Sequence, residues 1–406
     1  MQKFEKHSPV VVTEVTTKHE LRQFMQYPNR LYADNPNYIP SFYGDDLSDW
    51  TPGKNPAFDY CEARCWLARR DGEIVGRIGA ILSHKANDKF GTHRMRFSQV
   101  DFVDDSEVSA ALFGTVERWA REKGCDQVHG PLGFTDCDRE GMLVDGFDRR
   151  SLFFTNYNAP YYPEHLTRLG YRKDVDWIEY RIAVPEPGGT EAERLHKLSQ
   201  YILKRKNLHV ATLHHKSEYG PYVRQVFELI NAAYAPLYGV VELSDEQIER
   251  YANKFIPLVD PDFVCFVVDE QDQLVAFGVT ALDPSVALKH SDGRLFPFGW
   301  AGVLNDLHHS DTLIMLLTAV RPDLQAEGIN AVMMDHVCQS CNRHGVRFAE
   351  TGPMLELNDH ILAQWKRLEK EQHKRRRCFI KDLDHDVNAA NAAAAQTETP
   401  ETESAE

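Results

Sequence analysis

Leu313-Ile-Met-Leu-Leu-Thr-Ala-Val320, Arg321-Pro-Asp-Leu-Gln325 and Ala326-Glu-Gly328-Ile-Asn330 follow one another without a break. The first run is apolar, the second is turn chemistry around a proline, and a helix is expected from about 328 to 344. A glycine at such a turn lets backbone N–H groups close on a ligand. The free N–H groups and the dipole at a helix start favour an anion there. Strand, turn and helix together predict a cradle for a pyrophosphate.

This order of elements occurs twice along the chain. In the first half Thr17 and Glu20 make a capping box before Leu21, Phe24 and Met25. In the second, Val223, Val226, Phe227, Ile230 and Tyr234 repeat the apolar stripe, and Ser244 with Gln247 opens a further helix. A hairpin follows in each, at 65–82 around Asp71-Gly72 and at 263–279 around 269–272. Each hairpin leads to a strand (about 96–103 and 313–320), a helix (about 106–123 and 328–344) and another strand (about 127–134 and 346–351). Strand, helix and strand after an antiparallel hairpin predict an α/β fold, each half a mixed, mostly antiparallel sheet flanked by helices. Val184-Pro-Glu-Pro-Gly-Gly-Thr190 separates the halves, so domains are expected over 1–185 and 186–385. Residues 386–406 hold no Lys, Arg or aromatic residue. They cannot bury enough apolar surface to offset chain entropy, and a disordered acidic tail is expected there.

The chain has 406 residues, enough for two cores, and no apolar run approaches the ~20 residues that a membrane-spanning helix needs. Eight cysteines are too sparse for a disulfide framework and fit a reducing compartment. The start, Met1-Gln-Lys-Phe-Glu-Lys, shows no secretory pattern. A cytoplasmic location is expected, with peripheral contact at the inner face of a membrane left open. The net charge of −15 argues against binding phosphate backbones, so nucleic acid is not an expected partner.

Gln325, Gly328 and Asn330 occupy the three places of a motif that follows the fourth strand in the GNAT acyltransferase superfamily: Gln or Arg, two residues, Gly, one residue, Gly or Ala. Two places match and Asn330 departs; Asn tolerates positive φ, so the turn is expected to survive. The chain resembles this superfamily. It also resembles, over about 15–385, a bacterial set of tandem GNAT-like proteins that includes ceramide synthase-like members. That likeness is carried by the pattern from Tyr32 to Tyr38, by Gly130-Pro-Leu-Gly133, by Leu143-Val-Asp-Gly-Phe-Asp148 and by Gly293-Arg-Leu-Phe-Pro-Phe-Gly299.

The resemblance implies two tandem GNAT-like domains and acyl-CoA as co-substrate. It sets the pantetheine between the fourth and fifth strands on backbone around Leu317, Thr318 and Val320. The diphosphate would rest on N–H groups of Gln325, Gly328, Ile329 and Asn330. The activity implied is N-acyl transfer, with an amine attacking the thioester directly. Glu350, at the end of the fifth strand, is the candidate base, and Asn358, heading the next segment, is the second catalytic candidate. Trp365 stands near the place where many relatives carry a general-acid Tyr.

In the first half the matching turn, Asp101-Phe-Val-Asp-Asp105-Ser106, has three carboxylates and no glycine. It would repel a diphosphate, so this half is expected to form the acceptor side. Asp136, Asp138, Tyr157 and Tyr161 lie in its long polar and aromatic loop and are the candidate acceptor residues, suited to hold an ammonium beside an apolar body. Sphingoid bases and other amines, including amino acids, stay open as acceptors. The alternatives are Fem-like aminoacyl transfer, which the net charge disfavours, and a non-catalytic acyl-CoA sensor. No metal is expected: Cys338-x-x-Cys341 lies inside a helix without a second ligand pair and reads as core thiols. Lys374-Arg-Arg-Arg377 reads as a solvated cationic face.

Deleting residues 386–406 is expected to leave both the melting temperature and acyl transfer unchanged, as measured by thermal denaturation and thiol release.

Overall fold

A computed structural model describes residues 8–383; the tail expected at 386–406 lies outside the described residues. The first half runs through β1 (Val11–Glu14), α1 (Lys18–Leu31), α2 (Tyr43–Asp49), β2 (Cys61–Arg70), β3 (Glu73–Ser83), α3 (His84–Phe90), β4 (Arg94–Phe102), α4 (Ser106–Glu122), β5 (Gln127–Gly130), β6 (Met142–Asp145), α5 (Tyr161–Arg168) and β7 (Arg172–Ala183). The second runs through α6 (Thr190–Lys206), β8 (His209–Val210), α7 (Gly220–Tyr234), α8 (Asp245–Phe255), β9 (Val264–Val268), β10 (Leu274–Leu282), α9 (Ser285–His290), α10 (Gly299–His309), β11 (Thr312–Val320), α11 (Asn330–His344), β12 (Phe348–Thr351), β13 (Met354–Leu355), α12 (Asp359–Ala363) and β14 (Lys370–Asp382).

Local chemistry sets these elements where the sequence predicts them. Thr17 and Glu20 close the capping box of α1, and Ser244 with Gln247 closes that of α8. Asp71 and Gly72 both take positive φ between β2 and β3, the backbone a tight hairpin requires. The helical pair α9–α10, between β10 and β11, has no counterpart in the repeat read from the sequence.

The strands form one mixed sheet in the order β1-β2-β3-β4-β5-β14-β7-β12-β11-β10-β9-β8, with β6 beside β14 and β13 beside β7. Among the described strands only β4–β5 and β11–β12 are parallel. The fold is thus the expected mixed, mostly antiparallel α/β arrangement. Helix α4 covers the first half, its Phe113 packed against Phe97 and Phe102. In the second half Val267 and Val275 pack with Ile202 of α6 and Val332 of α11 on one side of the sheet, and Phe266 and Phe277 pack with Phe227 of α7 and Tyr251 of α8 on the other.

The halves exchange their closing strands. β7 ladders with β12 of the second half, from Phe348↔Ala183 to Glu350↔Arg181. β14, the last strand, ladders with β5 of the first half, from Phe379↔Gly130 to Asp382↔Gln127, and with β7 along most of its length. Each closing strand covers an edge that the other half would expose.

Lys374-Arg-Arg-Arg377 is therefore not a solvated face. It is the middle of β14, where Lys374 is 1% and Arg376 0% exposed. Strand alternation sends these two to one side and Arg375 and Arg377 to the other, where both meet Asp176, at 3.0 and 2.7 Å. Across the ladder, the fully buried Glu179 accepts from Lys374 Nζ at 3.2 Å and from Arg376 Nε. Arg376 also donates to Asn156 O and, at 3.0 Å, to Thr155 Oγ1.

Burial alone would lift the Glu179 pKa, but the charges of Arg376 and Lys374 outweigh it and hold the value at about 2. That lies below the ordinary 4.5, so the stabilisation is present above about 4.5 and is lost as pH falls toward 2. Native stability, followed by chemical denaturation at a series of pH values, is expected to decline through that window. Glu179→Gln leaves the buried Arg376 without its counter-charge and Lys374 with Glu350 alone, and is expected to cost about 3–5 kcal/mol at neutral pH, read as a lowered denaturation midpoint.

Candidate active site

β11 and β12 pair from Thr312↔Phe348 to Met315↔Thr351, and there the ladder stops. Gly352-Pro353 turns the chain away, and β13 pairs instead with Ile178 and Trp177 of β7. On its other edge β11 bulges: Val279 opposes Leu317 and Thr280 opposes Met315, which leaves Leu316 unpaired. Residues 316–318 thus face an open cleft of roughly 1070 Å³, its solvent-open mouth included. Its walls are mainly apolar, with Met315, Met333, Met334, Val337, Trp365 and Leu368 among them. The matching place in the first half is shut, since beyond Arg96↔His129 the Leu132 N–H donates to Phe97 O at 3.0 Å.

The turn below the cleft is built from left-handed backbone at Ala326 (φ 65) and Gly328 (φ 85). For a residue with a Cβ that conformation costs roughly 1 kcal/mol or more. Asn330 is the first residue of α11 and needs no left-handed φ, so its departure from the motif does not bear on the turn in the way the sequence suggested. No side chain caps α11. Among the described residues the N–H groups of Ala326, Gly328, Ile329 and Asn330 have no protein acceptor. Four free donors at an uncapped helix start suit an anion. Lys206, from the last turn of α6, reaches Glu327 at 2.7 Å and sets a cation beside them. In the first half the Asp105 side chain already accepts from the Glu107 and Val108 N–H groups at the start of α4.

Of the residues the resemblance assigned to the cofactor, Leu317, Thr318 and Asn330 line the cleft. Val320 O accepts from Gln325 Nε2 at 3.2 Å, which ties the strand end to the turn. Ile329 is buried against the cluster that holds Ile202. The Thr318 carbonyl already accepts from the Tyr234 hydroxyl at 2.7 Å. Tyr234 also lines the cleft; sequence reasoning saw it only as part of an apolar helix stripe.

Glu350 stands elsewhere. Its neighbours Ala349 and Thr351 line the cleft, so strand alternation points Glu350 to the opposite face, with Oε2 at 3.2 Å from Lys374 Nζ. Asn358 caps α12, its side chain accepting from the Ile361 N–H at 3.2 Å. Tyr157 and Tyr161 pack against the first-half core, their hydroxyls donating to Phe147 O and Phe102 O.

The loop with Asp136 and Asp138 crosses to the second half. Asp138 Oδ2 accepts from the Phe134 and Thr135 N–H groups at 2.8 and 3.1 Å, and its Oδ1 from the Tyr251 hydroxyl of α8 at 3.4 Å. Asp136 Oδ1 is buried with no hydrogen-bond partner among the described residues. Burial lifts the Asp136 pKa to about 6, opposed by its own backbone N–H and aided by Asp138. Asp136 lies near enough to Tyr234 for its charge to add to the burial that raises the Tyr234 pKa.

A second hollow, of roughly 680 Å³, lies between the halves. Asp45, Asp46, Asp49 and Asp138 line it with Lys254 and Arg139, and Phe42, Phe153 and Phe154 supply apolar walls. The Phe154 ring comes within 3.5 Å of where a Cβ on Gly352 would stand, and Gly352 borders the cleft. Phe154 thus separates the two hollows.

His129, Asp174 and Cys378 hold ligand atoms within 4.8 Å of one another. The Tyr238 hydroxyl sits among them, at 2.9 Å from His129, 2.5 Å from Asp174 and 3.5 Å from Cys378.

No family model matches the chain. It is 27% identical over 379 residues to the protein YghO of Escherichia coli, covering 92% of this chain and 95% of that one. It is 28% identical over 298 residues to a bacterial ceramide synthase of Caulobacter vibrioides, covering 72% and 75%. Among solved structures it is similar to a tandem GNAT protein from the clavulanic acid biosynthesis pathway, with a TM-score of 0.53 at 13% identity over 92% of this chain and 99% of that one. The fold is a tandem GNAT fold.

Gly328→Asp sets a carboxylate at the four free N–H groups, and its Cβ would meet Ile202 Cδ1 at 3.0 Å. CoA affinity is expected to fall about tenfold or more, measured by calorimetry, with the melting temperature as the check on folding.

Proposed function

We propose that this protein is an acyl-CoA-dependent N-acyltransferase, with acyl-CoA in the β11–β12 cleft and the amine arriving from the first half. The observation that carries the reading is the cleft itself: the ladder opens after Met315↔Thr351, directly above a turn with four free N–H donors. The diphosphate would rest on Gln325, Gly328, Ile329 and Asn330, and the pantetheine along Leu317 and Thr318. The apolar walls, with four adaptable methionines, suit a long acyl chain. The name of the Caulobacter relative supports a sphingoid base as acceptor.

In this reading Asp136 receives the ammonium and takes its proton. The neutral amine attacks the thioester carbonyl, the new C–N bond forms as the C–S bond breaks, and CoA leaves as the thiolate; the second proton of the attacking nitrogen passes through solvent to that thiolate, which leaves the amide and the free CoA thiol. A carboxyl with a pKa near 6 is ionised at neutral pH and still basic enough for this task. Glu350, turned to the far face and held by Lys374, is poorly placed for it.

Two measurements test the proposal. A panel of acyl-CoA lengths against sphingoid bases, small amines and amino acids, read by thiol release, is expected to favour a long chain and an amphipathic amine. Release only with acetyl-CoA and a small amine would remove the lipid part, and CoA binding with no amine-dependent release would support a sensor. The profile of kcat/KM against pH is expected to fall below about 6, because protonated Asp136 cannot accept a proton. Asp136→Asn should lower kcat by about 100-fold and abolish that limb.

A further inference from the structure

The helical pair α9–α10 carries an apolar tip that none of the described residues covers. Phe296 is 81%, Phe298 80%, Trp300 48% and Leu304 45% exposed. Large apolar side chains grouped this way on a surface mark a contact site.

The tip is held rigidly. Gly293 O accepts from the Tyr43 N–H at 3.0 Å, Asp292 O from Asn29 Nδ2 at 3.1 Å and Asn35 O from Lys289 Nζ at 2.7 Å. Gly293 has positive φ, and a Cβ there would lie 1.9 Å from Ser41 O, so the insertion is fitted against the first half.

Three features identify the partner. The first is charge. The whole chain carries −15, yet between Ser285 and His309 Lys289 and Arg294 balance Asp292 and Asp306. Asp306 is turned inward to the Ala287 N–H at 2.7 Å. His290, His308 and His309 are exposed on the same insertion. A second copy of this chain would bring another −15, whereas phosphate headgroups meet a locally neutral patch here, with Arg294 and three histidines exposed on it. The second is composition: Phe and Trp at a protruding tip flanked by Lys, Arg and His suit the boundary between headgroups and acyl chains. The third is continuity. Leu295 and Leu307, at the base of the tip, pack with Phe42, Phe153 and Phe154, and these line the hollow that Phe154 separates from the cleft.

We propose that the α9–α10 tip docks this protein onto the surface of a phospholipid bilayer, and that an acyl-chain-bearing amine passes from the bilayer along the aromatic base of the tip into the hollow. The second part rests on the acyltransferase reading. Docking does not.

The experiment uses the full chain and vesicles of phosphatidylcholine with a minority of phosphatidylglycerol. Trp300 is the only one of the six tryptophans above 7% exposure, so acyl chains brominated near the headgroup are expected to quench it selectively. Quenching should vanish in Trp300→Phe while flotation persists. The combined variant Phe296→Ser, Phe298→Ser and Trp300→Ser is expected to lower vesicle partitioning about tenfold or more, with CoA titration unchanged. Wild-type protein that stays off the vesicles, or a triple variant that floats equally well, would overturn docking. A concentration-dependent dimer that the triple variant abolishes, without vesicle binding, would assign the tip to a second copy and overturn it too. Docking without transfer to any amphipathic amine would leave the tip assignment standing and overturn the passage of an amphipathic amine, the part that rests on the acyltransferase reading.

Discussion

Glu179, wholly buried between Lys374 and Arg376, is the contact on which the architecture turns. It lies on β7 while both cations lie on β14, the two strands that the halves exchange. Neither partner tolerates isolation in so dry a place, so the pairing specifies the β7–β14 register as strongly as any apolar contact could. Beside β7, β12 pairs from Phe348↔Ala183 to Glu350↔Arg181, after which Gly352-Pro353 carries the chain to β13. The separation of β12 from β11, and with it the cleft, follows from that commitment. Arg376 then spends its remaining donors on Thr155 and Asn156, and so positions the loop whose Phe154 stands between the two hollows.

The halves share a plan and differ in what their helix starts do with free N–H groups. Asp105 fills those of α4 with its own carboxylate. At α11 no side chain does so, and the donors remain available to an anion. The same contrast holds for the sheet: Leu132 closes the first gap and nothing closes the second. The first half contributes a buried acidic loop instead, where burial, aided by the nearby Asp138, raises the Asp136 pKa. A cationic group entering there would relieve that cost, which makes the loop a better host for an ammonium than for a water-exposed ion pair.

The insertion α9–α10 gives the exchanged-strand frame an outward-facing side. Its base joins the apolar cluster around Phe42, Phe153 and Ile314, so the surface and the interior share one continuous packing unit. Backbone hydrogen bonds and the close approach at Gly293 to Ser41 tie it to the first half. Its aromatic residues are therefore presented by a scaffold rather than by a loose loop.

What depends on neighbours in sequence was legible from the sequence alone. The capping boxes, the Asp71-Gly72 hairpin, the repeated order of elements and the strand-turn-helix around Gly328 all follow from local periodicity and turn chemistry, which act within a few residues. What depends on register was decided only in three dimensions. Lys374-Arg-Arg-Arg377 alternates charge with charge, so no hydrophobic period betrays a buried strand, and only the facing Glu179 and Asp176 make it one. Glu350 was set at the end of the right strand, but the side on which it emerges is a matter of one-residue parity fixed by pairing with β7 and β11. The contact of Asp138 with Tyr251 joins segments far apart in the chain, and no local pattern encodes such a distance. Local backbone preferences wrote the elements, and burial of charge between exchanged strands chose how they fit together.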